Sequence, residues 1–155
     1  MHRSSVVALT LLVLVAPSAR AQPKPVDGEG GVAVRALLSA DSLEVLRRAE
    51  RFALLALIPE RRPDRDEDRL RDAPVREHVW LDVAARRSLL TSLYADLAVG
   101  GVACKCVGSH HAIVATRGDE RVELLLCYVC GWAQVTDEAG VRGTTLGRSS
   151  EAALN

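Results

Sequence analysis

Six residues in the second half of the chain have types and spacings that could carry chemistry: Cys104, Cys106, His110, His111, Cys127 and Cys130. The cysteines fall into a C-x-C pair and a C-x-x-C pair, with His110-His111 between them. An even cysteine number in an exported chain reads first as a disulfide framework. Cys104–Cys106 would close a strained ring, which leaves a bond between the two pairs or a Cys127–Cys130 bond. Zinc is the second chemistry. Two thiolate pairs satisfy tetrahedral coordination, and His110 or His111 could replace one sulfur. Gly131 after the second pair permits the turn of a zinc knuckle. Thiol redox chemistry at Cys127-x-x-Cys130 is the third. It calls for the first thiol at a helix N-terminus, where the dipole favours the thiolate, and here Cys127 closes an apolar run. Covalent haem attachment needs a His where Gly131 stands. Ser109 has no G-x-S-x-G context for a hydrolase.

These residues have to be brought together by a hairpin. Ala112–Thr116 and Val122–Leu126 are apolar, β-branched runs on either side of Arg117-Gly118-Asp119-Glu120, and Gly-Asp between such runs signals a tight turn. The Arg-Gly-Asp string needs no adhesive role in that position. A two-residue loop flanked by residues 117 and 120 sets His111 opposite Leu126 and His110 opposite Cys127. Continued outward, the same ladder sets Val107 opposite Cys130 and Cys106 opposite Gly131. All four cysteines then gather at the end of the hairpin away from its turn.

The other elements follow from periodicity. Asp41 and Glu44 have capping-box spacing ahead of Leu43, Leu46 and Ala49, which predicts a helix over 41–50. Phe52–Ile58 predicts a buried strand closed by Pro59. Residues 60–72, with five Arg and six acids, predict a solvated, mobile loop in which Leu70 is the lone apolar side chain. Asp64, Asp66 and Asp68 lack the Gly and the Glu that a calcium loop requires. His78–Asp82 predicts a short strand, and Asp82 caps a helix carrying Leu89, Leu90, Leu93, Tyr94 and Leu97 to a stop at Gly100-Gly101. Trp132–Thr136 predicts a further strand. Gly140–Gly147 reads as turn-rich, and Ser149–Leu154 as a terminal helical turn. The sum is an α+β domain: a small antiparallel sheet of about four or five strands with two main helices.

The start of the chain has the order of a secretory signal. A positive Met1-His2-Arg3 precedes the apolar run Val6–Ala16, and Ala19-Arg20-Ala21 is a cleavage-type triplet. The run is short of the roughly 20 apolar residues of a membrane span, so residues 1–21 are expected to be removed and no transmembrane anchor to remain. The expected organisation is then a disordered linker over 22–33, one domain over 34–148 and a tail over 149–155. Export to a secreted, periplasmic or cell-envelope location places the cysteines in an oxidising compartment.

Composition excludes other classes. The 155-residue chain carries 20 Lys+Arg against 20 Asp+Glu, and aromatics are 3 %. A neutral surface with so few rings does not suit a nucleic-acid partner. Loss of Arg3 and Arg20 with the signal tips the balance slightly negative. The chain is large enough to bury a core without disulfides.

Cys106, His110-His111-Ala112-Ile113 and Leu125-Leu126-Cys127-Tyr128-Val129-Cys130-Gly131 resemble a group of small, uncharacterised exported bacterial proteins. Their pattern is a Cys, a basic-His-small-apolar run, then an apolar strand ending in C-[FY]-x-C. A weaker upstream similarity runs from Ala49 through Pro59 to the helix near Leu97. The resemblance implies an α+β domain and a recurrent set of Cys106, His111, Cys127 and Cys130, with Cys104 additional; His110 departs from the Arg of the pattern. The group supplies no activity. The function expected is a structural or binding module whose Cys/His cluster is a disulfide staple or a metal site, with zinc the candidate metal. A thiol-disulfide redox protein using Cys127-x-x-Cys130 is the alternative. The balance of features is against an enzyme, and the ligand or partner is unspecified.

Overall fold

The computed structural model describes residue 28 and residues 31–58, 69–70, 73–101 and 109–148. In chain order these form α1 (Val32–Leu37), α2 (Ala40–Arg48), β1 (Arg51–Leu57), β2 (Arg69–Leu70), β3 (Ala73–Trp80), α3 (Val83–Val99), β4 (His111–Arg117), β5 (Glu120–Cys127), β6 (Trp132–Asp137) and β7 (Gly140–Thr145). The strands make one antiparallel sheet in the order β2-β3-β1-β4-β5-β6-β7. The α+β class is as expected, but the sheet is larger than four or five strands. Six strands form its body, and the two-residue β2 extends one edge.

The extra strand is β7, in the segment whose glycines suggested turns. Gly140 does turn, at φ +106, but Val141 to Thr145 then pair with β6 residue by residue. Gly143 is tolerated there because the strand lies at a sheet edge. β3 likewise starts at Ala73, well before the expected His78. A two-residue antiparallel pair with β2 and a long ladder with β1 hold its early residues.

All three helices contribute to one core with one face of the sheet. Val34, Leu37, Leu46, Leu90, Leu93, Tyr94 and Leu97 meet Phe52, Ile113, Leu124, Leu126, Ala133 and Val135, all nearly or fully excluded from water. The strand residues among them alternate with those of the opposite face, as the period of two demands. That face has its own smaller cluster of Ala53, Leu55, Leu57, Leu70 and Ala112. β1 is thus apolar on both sides, which is why Phe52–Leu57 is a continuous apolar run rather than an alternating one.

Three helix caps set the chain's path. α2 is capped by Ser39, whose Oγ accepts from the Ser42 amide at 3.1 Å, two residues before the expected Asp41. Asp41 lies in the first helical turn, and Glu44 pairs instead with Arg47 and Arg48. Asp82 caps α3 as expected, accepting from Ala85 at 2.8 Å. Gly100 ends α3 at φ +68, with its amide donating to the Asp96 carbonyl at 3.0 Å. α1 begins at Val32, inside the segment expected as linker, and buries Val34 and Leu37. No described helix is long and apolar enough to cross a membrane. The expected signal, most of the 60–72 loop and the terminal turn lie outside the described residues. Within that loop, Leu70 is not solvated: it sits in β2 and is 5 % exposed.

Candidate functional site

The β4–β5 hairpin has the expected register, from Arg117 opposite Glu120 at the turn to His111 opposite Leu126 at the far end. Gly118 takes φ +56 in the two-residue loop. At the far end the backbone of His110 stitches two strands together. Its amide donates to the Leu126 carbonyl at 3.3 Å, and its carbonyl accepts from the Leu57 amide at 2.8 Å. His111 pairs across to Ala56 on the other side. Both histidines are therefore fixed by the ladder, and the His111 ring meets Tyr128 edge-on with centroids 6.4 Å apart.

The ladder does not continue to Cys130. β5 ends at Cys127, residues 128–131 turn, and β6 pairs back so that Trp132 lies opposite Cys127. Gly131 makes the reversal possible at φ +64, and its carbonyl is taken by the Leu146 amide at 2.9 Å. The expected facing of Val107 with Cys130 and Cys106 with Gly131 required a straight strand where the chain in fact reverses. Cys104, Cys106 and Val107 lie outside the described residues.

The turn still brings the C-x-x-C pair together. The Cys130 amide donates to the Cys127 sulfur at 3.2 Å. Cys127, Tyr128 and Cys130 are all buried, while Val129 between them is 55 % exposed. Arg148 reaches back to the Val129 carbonyl at 3.1 Å and ties down the outside of the turn. Cys130 is disulfide-bonded; Cys127 keeps its thiol.

This geometry limits the chemistry. A sulfur in a disulfide has no thiolate to offer a metal, and among the described residues no group of three or more His, Cys, Asp or Glu is placed to hold one. Redox catalysis needs a thiolate that a substrate disulfide can reach. Cys127 is fully buried and stands at a strand end, out of reach of a substrate disulfide.

A second polar constellation has no counterpart in the sequence reading. Asp137, at the end of β6, accepts from the hydroxyl groups of Ser42 and Ser39, from the Ala139 amide at 3.0 Å and from Arg142 at 2.5 Å. Arg142 also donates to the Leu37 carbonyl at 2.8 Å. One carboxylate and one guanidinium thus tie the α1–α2 junction to the β6–β7 hairpin. Burial pushes the Asp137 carboxyl up. The hydrogen bonds from Arg142 and Ser42, the Arg142 charge and the Ala139 amide outweigh that and hold its pKa below the ordinary carboxylate value. The cleft beside it is only about 80 Å3, so the group is a joint rather than a substrate site. Nearly a hundred residues separate Ser42 from Asp137 in sequence, and no local spacing could have signalled the contact.

Compared with protein-family models, with curated proteins and with solved structures, the chain matches none.

Proposed function

We propose that the protein is an exported, non-catalytic binding module, and that its Cys/His end is a disulfide staple rather than a metal or redox centre. One observation carries the staple reading: Cys130 is bonded and fully buried, three residues beyond a buried Cys127 thiol. A bond placed there holds the reversal between β5 and β6 at the sheet end where His110 closes the ladder. Cys104 and Cys106 are the candidate partners, and the resemblance to small exported bacterial proteins favours Cys106. Cleavage after Ala21 and residence in an oxidising compartment belong to the same reading, since a staple has to persist where the protein works.

Non-reducing peptide mapping, with melting curves in reductant and in chelator, tests this. A staple gives a Cys106–Cys130 peptide, a lower Tm in reductant and an unchanged Tm in chelator. A Tm that falls in chelator and not in reductant would mean metal. Rapid alkylation of native Cys127 at neutral pH would mean a reactive thiol, and the redox alternative would replace this one.

A further inference from the structure

We propose that Cys127 and Cys130 form an internal disulfide-exchange switch, in which the Cys127 thiol takes over the bond to Cys130 and releases the present partner of Cys130 as a thiol. The inference rests on the staple reading, because the staple is the bond that moves.

Both residues belong to one short turn. Cys127 ends β5 and pairs with Trp132, so residues 128–131 make the whole reversal. A four-residue turn brings the Cα atoms of its first and last residues to within about 7 Å, near the roughly 4.4–6.8 Å that a disulfide spans. The Cys130 amide donates to the Cys127 sulfur at 3.2 Å, and the Cys130 sulfur is three bonds from that amide. The turn is pinned from outside: the Leu146 amide donates to the Gly131 carbonyl at 2.9 Å, and Arg148 to the Val129 carbonyl at 3.1 Å. Reacting groups held in this way gain a large effective concentration. Both cysteines are wholly buried. The burial that keeps an outside disulfide from Cys127 leaves it the one on Cys130.

Exchange proceeds by attack of a thiolate on a disulfide sulfur. Cys127 gives up its proton and attacks the Cys130 sulfur. The Cys127–Cys130 bond forms as the bond from Cys130 to its partner breaks. The leaving sulfur takes the electron pair and then the proton. One disulfide stands before and one after, so no oxidant or reductant is consumed. Before exchange the bond reaches from the β5–β6 turn to Cys104 or Cys106, ahead of β4; afterwards it closes within the turn. The ladders of β4, β5 and β6 need no change, so the device alters a tether and not the fold.

The full chain is held native in iodoacetamide, which traps the released thiol and pulls the exchange forward, and is then mapped without reduction. The expected product has a Cys127–Cys130 bond with Cys104 and Cys106 both alkylated. Its rate of appearance should be unchanged on dilution of the protein and should rise about tenfold per pH unit below the pKa of the attacking thiol. Cys127→Ser should abolish the second alkylation and keep the original bond. Alkylation of Cys127 itself with the Cys130 bond intact, a rate that falls on dilution, or a second alkylation that persists in Cys127→Ser would each overturn the switch. If Cys130 stays bonded to Cys104 or Cys106 throughout, the staple stands and the switch falls. If Cys130 is alkylated in native protein at the outset, both fall.

Discussion

Cys130 and Asp137 are two side chains whose surroundings convert their chemistry into stability. At Cys130 the sulfur is bonded and no water reaches it. Cys130→Ser should destabilise the domain by about 2–4 kcal/mol, the usual range for losing a native disulfide, measured by denaturant unfolding at matched redox conditions. At Asp137 the partners are Ser42, Ser39, Ala139 and Arg142. Asp137→Ala leaves a guanidinium and two hydroxyls without their acceptor and should cost about 1–3 kcal/mol. The same carboxylate sets a pH dependence. Its folded pKa lies below its unfolded value, which is about 3.9. The folded state therefore holds fewer protons there. The stability it adds is complete above about pH 4–5 and is lost as pH falls through the lower folded pKa. The Tm difference between the native protein and Asp137→Asn should accordingly be largest near neutrality and shrink in acid. A difference that grew in acid would mean that Asp137 is not held as the anion.

The elements that place these residues make their own predictions. α3 buries Leu89, Leu90, Leu93, Tyr94 and Leu97 against the sheet and the other helices. Leu93 is fully excluded from water, so Leu93→Ala should cost about 2–5 kcal/mol in an unfolding titration. The C-terminal end of α3 is also where the chain leaving β7 returns. The Gly147 amide donates to the Asp96 carbonyl at 3.1 Å, and a Cβ at Gly101 would stand 2.3 Å from the Leu146 carbonyl oxygen. Backbone is hard to displace there, so Gly101→Ala should cost about 1–3 kcal/mol through overpacking. Gly118→Ala probes the opposite case, with open space around its Cβ and only the positive φ to oppose it. It should cost about 1–2 kcal/mol in the same measurement, the usual cost of left-handed backbone for a residue with a Cβ. A Gly101→Ala loss within noise would show that the backbone at Leu146 gives way to the added Cβ.

Across the whole molecule, what was legible in sequence was what neighbours along the chain decide. The Asp82 cap, the Leu89–Leu97 stripe and the stop at Gly100 each lie within one helix. The Gly118-Asp119 loop carried the register of the entire β4–β5 ladder, because a two-residue turn leaves the strands only one pairing. The Phe52–Leu57 run marked a buried strand because both of its faces are covered by apolar neighbours. Elsewhere the sequence misled for physical reasons. Glycines in 140–147 suggested turns, yet pairing with one neighbour was enough to make an edge strand. Asp41 and Glu44 had the spacing of a cap, but Ser39 occupied that role because its own partner, Ser42, is three residues on. Extending the hairpin to Cys130 failed because Gly131 allows the chain to reverse first. The Asp137 joint had no local signature at all. Local sterics, caps and side-chain periods act over a few residues and can be read from the chain. The contacts of Ser42 with Asp137, and the facing of Trp80 with Ala53, exist only once the strands have been ordered into a sheet. That ordering is settled by which apolar faces bury one another, a property of the assembled core that no single segment contains.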